Sequence, residues 1–184
     1  MKISCLPYFT CILLPFFLSC QESKKTAVTR LVNKWTGKEI ILPPISDCTA
    51  MGKATPCPDQ FSAPYKVLLY TDSTGCTSCK LNLHVWKAYM EEAETLAPGQ
   101  VDFLFYFQPK NLKELEYLLK RDRLDCPVFI DDKGELDRIN QLPEQMEYQC
   151  FLLDRDNQVL AIGNPAQNPK MWEIYKQLFT TVSE

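Results

Sequence analysis

The chain has 184 residues, 46% hydrophobic and 23% charged, with a formal net charge of −3. That composition is globular rather than disordered, and it is long enough for one domain plus a leader. Acids and bases are interspersed and no basic patch is interleaved with aromatics, so the sequence carries no nucleic-acid footprint and no nucleic-acid partner is expected.

The first residues read as an export leader. Lys2 supplies a positive start, and Ile3 to Leu18 form an apolar stretch interrupted by Pro7 and Pro15. It is too short for a comfortable span of about 20 residues, so residues 1–19 read as a signal peptide. Its end, Phe17-Leu18-Ser19-Cys20, resembles a bacterial lipobox, which implies cleavage before Cys20 and acylation of that cysteine. Residues 20–26, polar after Cys20, then read as a lipid-anchored tether. The expected location is the cell envelope, on the membrane through the lipid, facing the periplasm or the cell surface.

Of nine cysteines, Cys5 and Cys11 lie in the leader, and Cys20 is the anchor. The other six are Cys48, Cys57, Cys76, Cys79, Cys126 and Cys150, a number that suits an oxidising compartment. Pairing is not determined by sequence. No second Cys-x-x-Cys follows at zinc-ribbon spacing and the only histidine is His84, so neither a metal nor another cofactor is expected.

Residues 27–64 form an N-terminal extension with a short strand expected at Glu39-Ile40-Ile41-Leu42, ended by Pro43-Pro44. Segment 45–64 is proline-punctuated and reads as an irregular loop, with Cys48 and Cys57 as candidates for a structural disulfide that clips it. From residue 65 to 184 the pattern is regular. Lys66-Val67-Leu68-Leu69-Tyr70-Thr71 is a short apolar run of strand formers. Leu81, Val85, Trp86, Tyr89, Met90, Ala93 and Leu96 recur at helical spacing until Pro98-Gly99. A second buried strand covers Val101 to Phe107, and Leu112, Leu115, Leu118 and Leu119 mark a second amphipathic helix. Cys126 to Ile130 reads as a third strand before the turn Asp131-Asp132-Lys133-Gly134. A hairpin is expected from Gln149–Leu153 and Gln158–Ile162, and a last helix from Pro169 to Val182. Strands alternating with helices indicate an α/β domain built on βαβ units.

The chemistry centres on Cys76-Thr77-Ser78-Cys79, placed between a buried strand and a helix start. Unpaired N–H groups and the positive end of the helix dipole favour a thiolate there. Cys76 reads as the exposed nucleophile and Cys79, one turn further, as the resolving thiol. Asp72 is the nearest candidate proton acceptor. His84 lies on the helix and reads as surface or packing, and Cys150 as a small buried hydrophobe, with a third redox thiol or pairing with Cys126 as the alternatives.

Three stretches carry a resemblance beyond this motif: Lys66 to Tyr70 leading into Gly75-Cys76-Thr77-Ser78-Cys79-Lys80, then Cys126-Pro127-Val128-Phe129-Ile130-Asp131, then Phe151-Leu152-Leu153-Asp154. Over residues 65–182 the chain resembles the thioredoxin superfamily, in its TlpA-like and peroxiredoxin-like branch. The resemblance implies a central mixed sheet flanked by helices and a redox-active Cys76–Cys79 disulfide. It departs from the family pattern at Gly75, where an aromatic is usual, and at Thr77-Ser78, where Gly-Pro is usual. Tyr70 stands in place of a buried acid, and Tyr148 in place of a cis-proline. The expected activity is thiol–disulfide exchange on exported proteins, supplied with electrons by a membrane-bound donor. The alternatives are a thiol peroxidase, with Ser73-Thr74-Gly75-Cys76 as its motif, and a non-catalytic binding lipoprotein of the same fold.

Overall fold

The computed structural model describes residues 23–74 and 81–181. In chain order the elements are α1 (Lys24–Trp35), β1 (Cys48–Ala50), β2 (Lys53–Thr55), β3 (Tyr65–Thr71), α2 (Leu83–Leu96), β4 (Val101–Phe107), α3 (Leu112–Arg121), β5 (Val128–Ile130), α4 (Glu135–Asn140), β6 (Cys150–Leu153), β7 (Val159–Ile162) and α5 (Pro169–Thr180). The strands form one seven-stranded sheet in the order β2-β1-β5-β4-β3-β6-β7.

Interior strand β3 is buried at all seven positions. It pairs in parallel with β4, Tyr65 opposite Val101 through Thr71 opposite Phe107, and antiparallel with β6. A strand shielded on both faces explains the unbroken apolar run, since neither face needs polar residues. Lys66 is the exception. Its ammonium donates to the carbonyls of Asp154 (3.1 Å) and Arg155 (2.7 Å), and burial pulls its pKa down.

Alternate side chains of the sheet feed two cores. On one face Leu69, Phe105, Leu152 and Cys150 pack with Trp86 of α2, Leu115 of α3 and Tyr175 and Phe179 of α5. On the other, Leu68, Tyr70, Leu104 and Phe151 pack with Trp35 of α1 and Leu136 of α4. The period of two along each strand delivers this separation directly.

The N-terminal residues contribute α1 and the strands β1 and β2, which extend the sheet. The expected tether is helical from Lys24, because the Ser23 side chain accepts from the Thr26 N–H and caps α1; residues 20–22 lie outside the described part. The expected loop contains the β1–β2 hairpin, whose two-residue turn is Met51-Gly52. Both have positive φ, 49° and 71°, the conformation that short hairpins require. A Cβ on Gly52 would come within 2.5 Å of the Glu116 carbonyl oxygen, so only glycine fits beneath α3. Strand β1 then pairs with β5, Cys48 opposite Phe129. The expected strand 39–42 is reduced to a single bridge between Glu39 and Gln158. Ile41 is held instead by Asn140, whose amide exchanges two 2.8 Å bonds with the Ile41 backbone.

Helix α4, like α1, was not legible in the sequence. The turn at 131–134 opens into α4, because both oxygens of the buried Asp131 accept from the N–H groups of Glu135 (2.7 Å) and Leu136 (2.9 Å). No helix among the described residues is long and apolar enough to cross a membrane.

Candidate functional site

The parallel strands β3, β4 and β5 all end on one edge of the sheet, where the antiparallel β6 begins. Ligand chemistry in open α/β sheets concentrates at such an edge, outside the carboxyl ends of the strands. Thr71 ends β3 there; its carbonyl accepts from the Gln108 N–H at 2.8 Å, and the Phe107 carbonyl accepts from Asp131 N–H at 2.9 Å. Asp72 follows at the mouth, half-buried. Its Oδ1 accepts from both the Thr74 N–H (2.9 Å) and the Thr74 hydroxyl (2.7 Å). This local turn fixes the carboxylate immediately before the Cys-x-x-Cys segment, and it is chemistry that Asp favours through short side-chain-to-backbone bonds.

The predicted dithiol, Cys76 and Cys79, lies outside the described residues, as does Cys20. Chain order puts the dithiol between the Asp72 turn and Leu81, which is buried in the core just ahead of α2.

The remaining cysteines divide into two kinds. Cys48 and Cys57 form a disulfide, with Cα atoms 5.2 Å apart, between β1 and the loop after β2. Cys126 and Cys150 are free thiols, so they are not paired with each other. Cys150 opens β6 opposite Leu69 and is fully buried, with the Tyr175 hydroxyl 3.8 Å from its sulfur. That hydroxyl also donates to the Gly163 carbonyl at 3.0 Å. Burial pushes the Cys150 thiol up to about 12. Burial, helped by the Asp125 charge, does the same for Cys126. Both therefore stay protonated at neutral pH and are poor nucleophiles, since the thiolate is the attacking species.

Other expectations can be placed directly. His84 is exposed on α2, and no cluster of metal-ligating side chains occurs among the described residues. Tyr70, at the position of the family's buried acid, donates to Gln108 Oε1 at 3.2 Å, and burial holds its hydroxyl protonated. Around Tyr148 a 3-10 turn, Met146–Tyr148, replaces the missing proline. It is held by the Gln149 amide donating to the Pro143 carbonyl (3.0 Å) and by the Asn164 N–H donating to the Glu147 carbonyl (2.8 Å). Gln149 is 3% exposed and its Oε1 has no partner. Sequence reasoning missed Gln149, Gln108 and Asn140, whose bonds to the Pro143 carbonyl, the Tyr70 hydroxyl and the Ile41 backbone leave no periodic signal.

A mixed sheet with helices on both faces is the architecture of the thioredoxin-like fold. Solved structures share it. Peroxidoxin BcpB from Mycobacterium tuberculosis superposes with a TM-score of 0.57 at 12% identity, covering 81% of this chain and 97% of its own. A cysteine-to-serine variant of PrxQ from Xylella fastidiosa gives 0.56 at 12% identity, with the same coverages of 81% and 97%. AhpC from Enterococcus faecalis gives 0.54 at 12% identity, covering 82% of this chain and 96% of its own. No protein-family model matches the chain, and no curated protein matches it in sequence. At this identity the likeness shows the fold.

Proposed function

We propose that the protein is an envelope thiol–disulfide oxidoreductase that uses Cys76 and Cys79 on exported proteins. The observation that carries this reading is positional. In the sequence the Cys-x-x-Cys segment falls between β3, a fully buried strand that ends at the carboxyl edge of a thioredoxin-like sheet, and α2. The other two free thiols are held protonated by burial and do not compete with it. The Cys76 thiolate attacks a substrate disulfide, forming a mixed disulfide and releasing one substrate thiolate, which takes a proton from solvent. Cys79 then gives up its proton, with the Asp72 carboxylate as the nearest acceptor, and attacks Cys76. The substrate leaves as a dithiol, reduced by two electrons, and the protein carries the Cys76–Cys79 disulfide. A membrane-bound dithiol donor restores it. Cleavage before Cys20 and acylation of that residue place the protein on the membrane.

Insulin reduction measured beside peroxide consumption tests this. Wild-type protein should reduce insulin, Cys76→Ser should abolish the activity, and Cys79→Ser should accumulate a mixed disulfide on Cys76. Peroxide consumption without insulin reduction would assign a thiol peroxidase instead. Absence of both activities would leave a binding lipoprotein.

A further inference from the structure

Helix α1 is basic along its whole length. Its twelve residues include Lys24, Lys25, Arg30 and Lys34 and no acid, in a chain whose net charge is −3. Lys24 and Lys25 occupy the first two helical positions, where the positive end of the dipole disfavours cations. Among the described residues Lys24, Lys25 and Lys34 form no ion pair.

The apolar side of α1 is equally unfinished. Trp35 anchors the helix, but Val28 and Val32, one turn apart, remain 39% and 36% exposed. With Leu160 of β7 and Met171, Ile174 and Leu178 of α5 they line a cleft of about 700 Å³. Ile174 is 43% exposed. Ser23, the α1 cap, follows Cys20, the residue expected to carry the lipid, by three positions. From Cys20 the chain reaches Lys24 in four steps, at most about 14 Å.

We propose that α1 and this cleft form a membrane-docking face that takes an anionic phospholipid surface. The lysines meet the headgroups, and Val28, Val32 and Ile174 enter the interface between headgroups and acyl chains. A short helix with basic residues beside an apolar stripe suits that boundary. The proposal rests on the envelope location above, and docking turns the opposite edge of the sheet, β2 and β1, away from the bilayer.

Amide hydrogen exchange on the full-length chain tests it, with the protein reconstituted into phosphatidylcholine vesicles or into vesicles containing phosphatidylglycerol. Residues 24–35 and 169–180 should exchange about tenfold more slowly in the anionic vesicles. Salt at about 1 M, where the screening length falls to roughly 3 Å, should remove the difference. The triple variant Lys24→Gln, Lys25→Gln, Lys34→Gln should lose it while retaining wild-type insulin reduction. Equal exchange in the two vesicle types overturns the proposal. So does protection in detergent that grows with protein concentration, which would assign the cleft to a second copy of the chain. Intact mass of the N-terminal peptide reads acylation of Cys20 separately, so failure of the anchor and failure of the docking face are distinguishable.

Discussion

The two edges of the sheet are closed by different physics. At the β2–β1 edge the hairpin residues are short and partly exposed, and a covalent bond between Cys48 and Cys57 holds them. At the β7 edge no covalent link is used. One side chain, Trp35, is 1% exposed, lies 5.2 Å from the Phe151 ring and carries the Lys38 ammonium over its face at 3.9 Å. The backbone continues the closure, with Gly37 N–H donating to the Val159 carbonyl (2.8 Å) and Val159 N–H to the Lys38 carbonyl (3.0 Å). Both closures come from residues 24–64, which the sequence presents as an appendage to the domain. A segment with almost no apolar periodicity can still complete a fold if it supplies one large anchor or one crosslink.

The comparison breaks first at Trp35. Trp35→Ala removes a fully buried indole between α1 and the sheet and should destabilise the protein by about 3–5 kcal/mol. Denaturant unfolding measures the loss, and faster exchange of the 24–35 amides should accompany it. A loss below about 1 kcal/mol would mean that α1 contributes little to closing this edge.

The covalent edge should be less costly to open. Replacing Cys48 and Cys57 together by Ala removes a short crosslink, for which about 2–3 kcal/mol is expected. Wild-type protein and variant, both unfolded under reducing conditions, should match, because reduction opens the Cys76–Cys79 pair in each and removes the Cys48–Cys57 crosslink from the wild type. If the two curves differ, the replaced side chains themselves carry part of the effect.

The smallest effect lies away from both edges and serves as their control. Glu92 on α2 accepts from the Lys176 ammonium and from the Trp172 indole N–H, both at 2.7 Å. The Lys176 bond, then the Trp172 bond, hold its carboxyl below the usual range. A depressed folded-state pKa contributes stability that is present above the unfolded value of about 4.3 and is lost as pH falls through the folded value. Wild-type stability should therefore drop more steeply below about pH 4 than that of Glu92→Gln. Glu92 is 40% exposed and solvent screens the pair, so the difference should be a few tenths of a kcal/mol. Parallel pH profiles for the two proteins would remove Glu92 from the acid response.

The motif of the candidate site was legible because Cys-x-x-Cys is contiguous and its flanks are strongly patterned. Its surroundings were not. Gln149 shapes the turn that stands where the family carries a proline, through one bond to the Pro143 carbonyl, and nothing in the local sequence announces that partner. Cys150 has the composition of a third redox thiol, yet its burial against Tyr175 makes it a weak acid. Burial is a property of the assembled sheet.

By itself the sequence determined β3, β4, α2, α3 and α5, whose boundaries follow the expected runs to within a few residues. Long elements bury a repeating face, so their period is written into neighbouring residues. Tertiary structure alone decided the three-residue strands β1 and β2, the six-residue α4 and the helix α1. The short elements have too few internal hydrogen bonds to stand alone, and α1 buries only Trp35. They exist because a partner strand, the Asp131 carboxylate or the Trp35 pocket supplies from a distance what the local sequence lacks.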